Sequence, residues 1–433
     1  MTGTKVSDSA STKKPKVGFS KVIDQGLRHR LFNEIQSTTQ LNAEGQVSWS
    51  SEEIDQYISV LSDAFTFPPE ISRREAAAMV WRGIIGARKT GKLTDSSALA
   101  TLQRLTDETL AQPTRTFSMW TRLSYRPPVP AREERFRYGD VRIRLASKLP
   151  TYMELPDKAF AELQPIRTKD MPRYGYLIAT TIARNATHAA DKMFTATEML
   201  QSVYNLALKT WNLFGSEQKP EAMLMTGPYH FFFKGRKSLL PETNWFNQTF
   251  REEYWSSTSG DQIFKSAKTV RKALAKLQFH PLRDPLSAAF LMMNDGMEAA
   301  DMTRRTLRYW TALERLFQPE DERVSYEKII DRATYLDDPA DLAKAKLRRL
   351  MRIRNRYVHM GTSENEHHQL TQYLASEVRS HLFYVLMNGD DFADHREFIE
   401  MTDLPSDATA LIRRRRAIER RERMIEKRRH RAD

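Results

Sequence analysis

Leu347-Arg-Arg-Leu-Met-Arg-Ile-Arg-Asn-Arg-Tyr-Val-His-Met-Gly361 is the stretch on which the fold turns. Leu347, Leu350, Met351 and Val358 stand at i, i+3, i+4 and i+11, the spacing of one helix face, and Arg354 occupies the i+7 place between them. A guanidinium keeps its charge, so on a buried stripe it requires an anion, and a carboxylate or a phosphate would serve. His359 follows five residues later, and Gly361 is placed to stop the helix. One short segment therefore carries a permanent cation, an amide at Asn355 and an imidazole that titrates near neutral pH.

The chain around this stretch has 433 residues, enough for two or three domains, and its 40% hydrophobic content can fill real cores. A net charge of +13 and a sequence pI near 9.7 favour polyanionic partners: RNA, DNA or an acidic membrane surface. Cysteine is absent, which removes disulfides, thiolate metal sites and cysteine nucleophiles together. Met1 to Lys16 is polar, without the apolar core of a signal peptide, and no run elsewhere nears the ~20 apolar residues of a membrane span. The expectation is a soluble, cytoplasmic protein.

Upstream, residues 1–18 read as a disordered arm rich in Ser, Thr and Lys. A capped amphipathic helix is expected from Ser50-Ser51-Glu52-Glu53 through Phe65, stopped by Pro68-Pro69, followed by helices over Arg73–Arg88 and Ser96–Ala111. Between those two, Gly86-Ala-Arg-Lys-Thr-Gly-Lys-Leu-Thr94 has phosphate-loop spacing, but Leu93 stands where a magnesium-holding hydroxyl belongs and a helix precedes it. It reads as a helix stop. Alternation then predicts strands at Thr116–Tyr125, Asp140–Leu145, Tyr174–Ile182 and Tyr229–Phe233, with a long helix over Ala189–Phe214 between the last two. Arg184-Asn-Ala-Thr-His188 follows a strand and has one residue too few between Arg and His, so it reads as a chance imitation of the later segment. Asn244 to Phe279 predicts one or two helices whose basic face at Arg271, Lys272 and Lys276 is ordinary solvation. Pro281 and Pro285 mark a boundary, and beyond it helices are expected at Leu286–Phe317, Tyr326–Thr334, Pro339–Tyr357 and His368–Met387. From Leu411 to Asp433, eleven basic residues face four acidic ones, over half of the chain's net charge, in an exposed basic helix or a disordered arm.

Arg354-Asn355-Arg356-Tyr357-Val358-His359 resembles the R-x-x-x-x-H motif of HEPN ribonucleases, and the spelling Arg-Asn-x-x-Val-His-x-Gly is most similar to the Apea-like branch of bacterial phage-defence and abortive-infection proteins. Tyr309-Trp-Thr-Ala-Leu-Glu-Arg-Leu-Phe317 resembles that branch's first long helix with its W-x-x-L-E-x-L pattern. The resemblance implies an α+β chain. A mixed α/β sensing or regulatory region over 19–280 precedes an all-α HEPN bundle over 284–403 and a basic tail over 404–433. It further implies an anti-phage endoribonuclease that works as a homodimer with two motifs meeting in one cleft, under a phage-derived trigger or an antitoxin.

Cleaving RNA without metal or other cofactor requires activating a ribose 2′-hydroxyl, holding charge on the phosphorane-like transition state and protonating the leaving oxygen. His359 suits the acid or base role. Arg354 suits the phosphate clamp. Asn355 would orient either, and Arg348, Arg349, Arg352 and Arg356 would position the RNA backbone. Glu314 and Tyr357 are expected near the motif as support. Residues five apart on a straight helix are turned by about 140°, so Arg354 and His359 share a face only if the helix distorts or a partner completes the site. The rival readings are a non-catalytic RNA-binding protein with the same bundle and the toxin of a toxin-antitoxin pair.

Overall fold

The computed structural model describes residues 16–42, 44, 46–49, 53–91, 93–154, 174–208, 221–240, 245–246, 258–319, 322–335, 340–360, 368–405 and 407–429. The chain is mixed α+β and groups by packing into two compact units, 1–118 with 181–193 and 232–243, and 119–180 with 194–231 and 244–433. Of the expected arm over 1–18, residues 1–15 lie outside the described residues, and Gly18 pairs with Thr66 in a short antiparallel ladder.

In the first unit, α1 (Gln25–Thr38), α2 (Glu53–Ser62), α3 (Arg73–Lys89) and α4 (Asp95–Leu110) enclose one apolar core, with Phe32, Ile35, Ile54, Leu61, Met79, Val80, Ile84 and Leu102 buried. Helix α1 escaped the sequence reading. Ser72 and Glu75 close a capping box at the start of α3, and Thr94 and Ser97 close one at the start of α4. The phosphate-loop imitation is thus helix end and helix cap: Thr94 is occupied as a cap and Leu93 is buried in the core.

A sheet whose strands lie mostly in the second unit runs in the order β5-β1-β4-β3-β2, where β1 is Arg115–Leu123, β2 Glu133–Tyr138, β3 Val141–Ala146, β4 Gly175–Ala183 and β5 Thr226–Lys234. Strands β2, β3 and β4 are antiparallel neighbours. Four of the five were expected from alternation; β2 was missed because Glu133, Arg135 and Arg137 hide the single buried Phe136. A Cβ at Gly175 would overlap the buried ring of Tyr125, whose hydroxyl donates to Ala146 O at 3.0 Å, so only glycine lets the two approach. Helix α5 (Ala186–Leu208) was expected to begin at Ala189 and starts one turn earlier; the rest of its expected span, 209–214, lies outside the described residues.

Seven helices follow: α6 (Gly260–Phe279), α7 (Arg283–Glu298), α8 (Met302–Phe317), α9 (Tyr326–Ala333), α10 (Ala340–Met360), α11 (His368–Asn388) and α12 (His395–Thr402). The single helix expected over Leu286–Phe317 is two. The chain breaks at Ala299–Asp301, where Asp301 accepts from Arg304 N at 2.7 Å and restarts the helix as its cap. Helix α8 is central, contacted by α7, α9, α10 and α11, and it buries Tyr309, Trp310, Leu313, Leu316 and Phe317. Helix α12 was not foreseen, and the basic tail is a helix, α13 (Ala408–Arg429).

Beneath α5 and α7 lies a polar network. Asn205 pairs with both backbone groups of Leu224, at 2.7 and 2.9 Å, and donates to Asn294 Oδ1 at 2.7 Å, while Asn294 Nδ2 donates to Glu298 Oε1 at 2.8 Å. Gln201 Nε2 donates to the same carboxylate. Each amide here satisfies a group that burial would otherwise leave wanting. Nearby, the fully buried Arg305 is neutralised by Glu221 at 3.0 Å, and Tyr309 donates to the other oxygen of that carboxylate at 3.2 Å.

Candidate functional site

Helix α10 buries Ala343, Leu347, Leu350 and Ile353. Met351 is half-buried and Val358 is 50% exposed, so the expected stripe is corrected at its C-terminal end: Ile353, not Val358, continues the buried face. Arg354 lies beside that face, half-buried, its side chain 19% exposed. By helical pitch it follows Leu347 by two turns and Leu350 by one, which is why a guanidinium enters the bundle there.

Three neighbours hold it. Arg354 Nη2 stands 3.7 Å from Glu314 Oε1, its Nη1 donates to Asn355 Oδ1 at 3.1 Å, and its guanidinium carbon lies 4.9 Å from the centre of the Tyr326 ring. Glu314 also accepts from the indole Nε1 of the buried Trp310 at 2.8 Å, and Trp310 meets Tyr326 edge-on at 6.1 Å. Burial pushes the Glu314 carboxyl up from the usual carboxylate range, and the positive charge of Arg354 and the Trp310 donor only partly pull it back. The carboxylate and guanidinium are thus interdependent. Tyr326, on α9, was invisible to the sequence reading, since only the fold brings it across from α10; Trp310 stood inside the W-x-x-L-E pattern.

The helix continues unbroken through Met360, so no distortion brings positions 354 and 359 to one face. The His359 side chain and Gly361 lie outside the described residues. By pitch, position 359 falls on the sector of Arg348, Arg352 and Arg356, about 140° around from Arg354. Arg348, Arg349, Arg352 and Arg356 are all exposed, and Arg348 pairs with Glu327 at 2.9 Å. Asn355 and Tyr357 are half-buried between the two sectors. The helix therefore presents a cationic outer ridge and one inward guanidinium.

The imitation motif is structural. Arg184 lies 3.5 Å from the Glu75 carboxylate and donates to Glu70 O, Asn185 Nδ2 donates to Glu75 Oε1 at 2.8 Å, and Asn185 Oδ1 accepts from His188 N at 2.9 Å. Asn185 thereby caps α5 while Arg184 neutralises a buried glutamate. Among the described residues no group of three or more His, Cys, Asp or Glu is placed to hold a metal ion, and no helix is long and apolar enough to cross a membrane. No protein-family model, curated protein or solved structure matches the chain.

Proposed function

We propose that the chain is an endoribonuclease of the HEPN type, with Arg354 clamping the scissile phosphate, His359 moving the proton and Asn355 orienting the pair. RNA would track the outer ridge of Arg349, Arg352 and Arg356. The observation that carries this reading is the half-buried Arg354, a cation seated against the Tyr326 ring and a carboxylate whose own charge burial disfavours. A guanidinium so placed is preorganised to meet a second anion without reorganising its shell. The unbroken α10 supports the second half of the proposal, that two copies supply one site, since within one chain the two motif positions look in different directions. An anti-phage, abortive-infection role follows from the family resemblance alone.

The second reading, an RNA-binding protein without turnover, is favoured by the Arg354–Glu314 pair, which already satisfies the guanidinium inside the fold. RNA incubated with the full chain in chelator separates the two. Fragments ending in 2′,3′-cyclic phosphate, lost in Arg354→Ala and in His359→Ala with the helical signal retained, support cleavage. Retention of RNA with no fragments supports the second reading, and fragments that persist in both variants remove the site assignment.

A further inference from the structure

Helix α13 is a 22-residue element on which every residue from Leu411 to Ile425 is exposed. Ile412, Ile418 and Met424 are 52%, 51% and 71% exposed, so over these described residues no face of it is covered. A helix that packs on nothing is marginal in water, and its own Arg415–Glu419 pair at 2.9 Å adds only a few tenths of a kcal/mol. Charge placement decides what it is for.

At 100° per residue, Arg413, Arg416, Arg420 and Arg423 fall in one stripe about 80° wide, with about one cation per 5 Å of axis, and Lys427 is next in the same register. Like charges at i+3 and i+4 repel, so this ridge destabilises its own helix until an anion neutralises it. Glu422 is turned about 140° from the ridge centre, Glu419 flanks the ridge about 80° from it with its carboxylate engaged by Arg415, and Leu411, Ile418 and Ile425 stand on the opposite side.

We infer that this ridge is a grip for the phosphate backbone of an RNA strand, separate from the site on α10. A row of cations at regular axial spacing matches a polymer of regularly spaced phosphates, and neutralising it releases condensed counterions. An anionic lipid surface fits worse: seating the Leu411–Ile418–Ile425 row in lipid would point the arginine ridge away from the headgroups and bring Glu422 towards them. Self-pairing also fits worse, because that row supplies one apolar residue per heptad and Arg414 and Arg421 occupy the second seam position. The choice of RNA as the polymer rests on the ribonuclease reading; the grip itself needs no cleavage.

The test uses a fluorescent single strand of 2′-O-methyl RNA, which 2′-hydroxyl attack cannot cut, titrated with the full chain at several salt concentrations. Arg416→Gln/Arg420→Gln/Arg423→Gln is compared with Arg414→Gln/Arg421→Gln/Arg428→Gln, which removes equal charge from another sector with the same helix former. The ridge triple is expected to flatten the slope of log K against log salt by about 2, at roughly 0.7 per phosphate contact, and to weaken binding at 0.1 M salt at least tenfold, in order of magnitude. The other triple is expected to change the slope by less than half as much. Equal effects of both triples, or none from either, overturn the inference, as does ridge-independent binding to phosphatidylserine vesicles that displaces the RNA. Failure of cleavage with this binding intact would sink only the catalytic reading.

Discussion

Replacing Arg354 with Met should loosen the bundle around α8 and α10 by an amount set by pH, and replacing Glu314 with Gln should loosen it less. At 3.7 Å the two full charges attract by about 1 kcal/mol in water and about 4 kcal/mol at an effective dielectric of about 20. Against this stands the burial of the Glu314 carboxylate, the larger effect, which raises its pKa and disfavours the charged form even with Arg354 in place. Gln keeps the acceptor for Trp310 Nε1 but leaves Arg354 with Asn355 Oδ1 and the Tyr326 ring and no anion, so Glu314→Gln should cost about 1 kcal/mol, less than Arg354→Met near pH 7.5. Arg354→Met strands the carboxylate, and with both side chains 19% exposed the cost falls below the range for fully buried pairs, at about 1–3 kcal/mol near pH 7.5. The sign with pH follows from the raised value. Glu314 is more easily protonated folded than unfolded, its ordinary value being 4.5, so its favourable contribution is present below that value and is lost as pH rises through the folded one. Removing Arg354 raises the folded value further, so the Arg354→Met penalty should shrink towards pH 5. Hydrogen exchange read by mass spectrometry on peptides covering 302–317 and 340–357 measures this local opening without assuming that a chain of two units unfolds in one step. A penalty independent of pH, or a Glu314→Gln variant as destabilised as Arg354→Met, would refute the reasoning.

Two further outcomes test the surrounding fold. Burial pushes the Glu298 carboxyl up to about 7, so wild-type stability around α5 and α7 should fall as pH rises from about 4.5 to about 7, by at most about 3 kcal/mol, and Glu298→Gln should flatten that slope in exchange of the same helices. Gly296→Ala places a Cβ against the Tyr309 ring where α7 lies along α8, and should cost about 1–3 kcal/mol, seen as a lowered melting temperature without loss of helical content.

Much of the helical layout was legible because apolar spacing and caps agreed: the expected spans at 73–88, 96–111 and 326–334 differ from α3, α4 and α9 by a residue or so. Where local signals were silent, tertiary structure decided. The run from Leu286 to Phe317 keeps helical periodicity on both sides of Asp301, so a cap in mid-run was read through. Strand β2 carries one buried residue among charged ones, too little alternation to announce itself. On α10, Val358 continues the right period but projects past its neighbours, whereas Ile353, off the extrapolated row, is the residue that meets them. Arg354 was legible as a cation out of place; that the Tyr326 ring lies against it and meets Trp310 depends on α9 folding back across α10, which no spacing in the sequence encodes.

The proposed site is composite, Arg354 from one copy and His359 from the other, twice per dimer, and complementation measures that directly. Arg354→Ala and His359→Ala chains, each inactive alone, are mixed in equal amounts after gentle dissociation and assayed for RNA cleavage in chelator. Half of the re-formed dimers would be mixed, each with one of two sites intact, so about a quarter of wild-type activity should return. A mixture as inactive as its parts, although exchange of subunits is demonstrated, would contradict it.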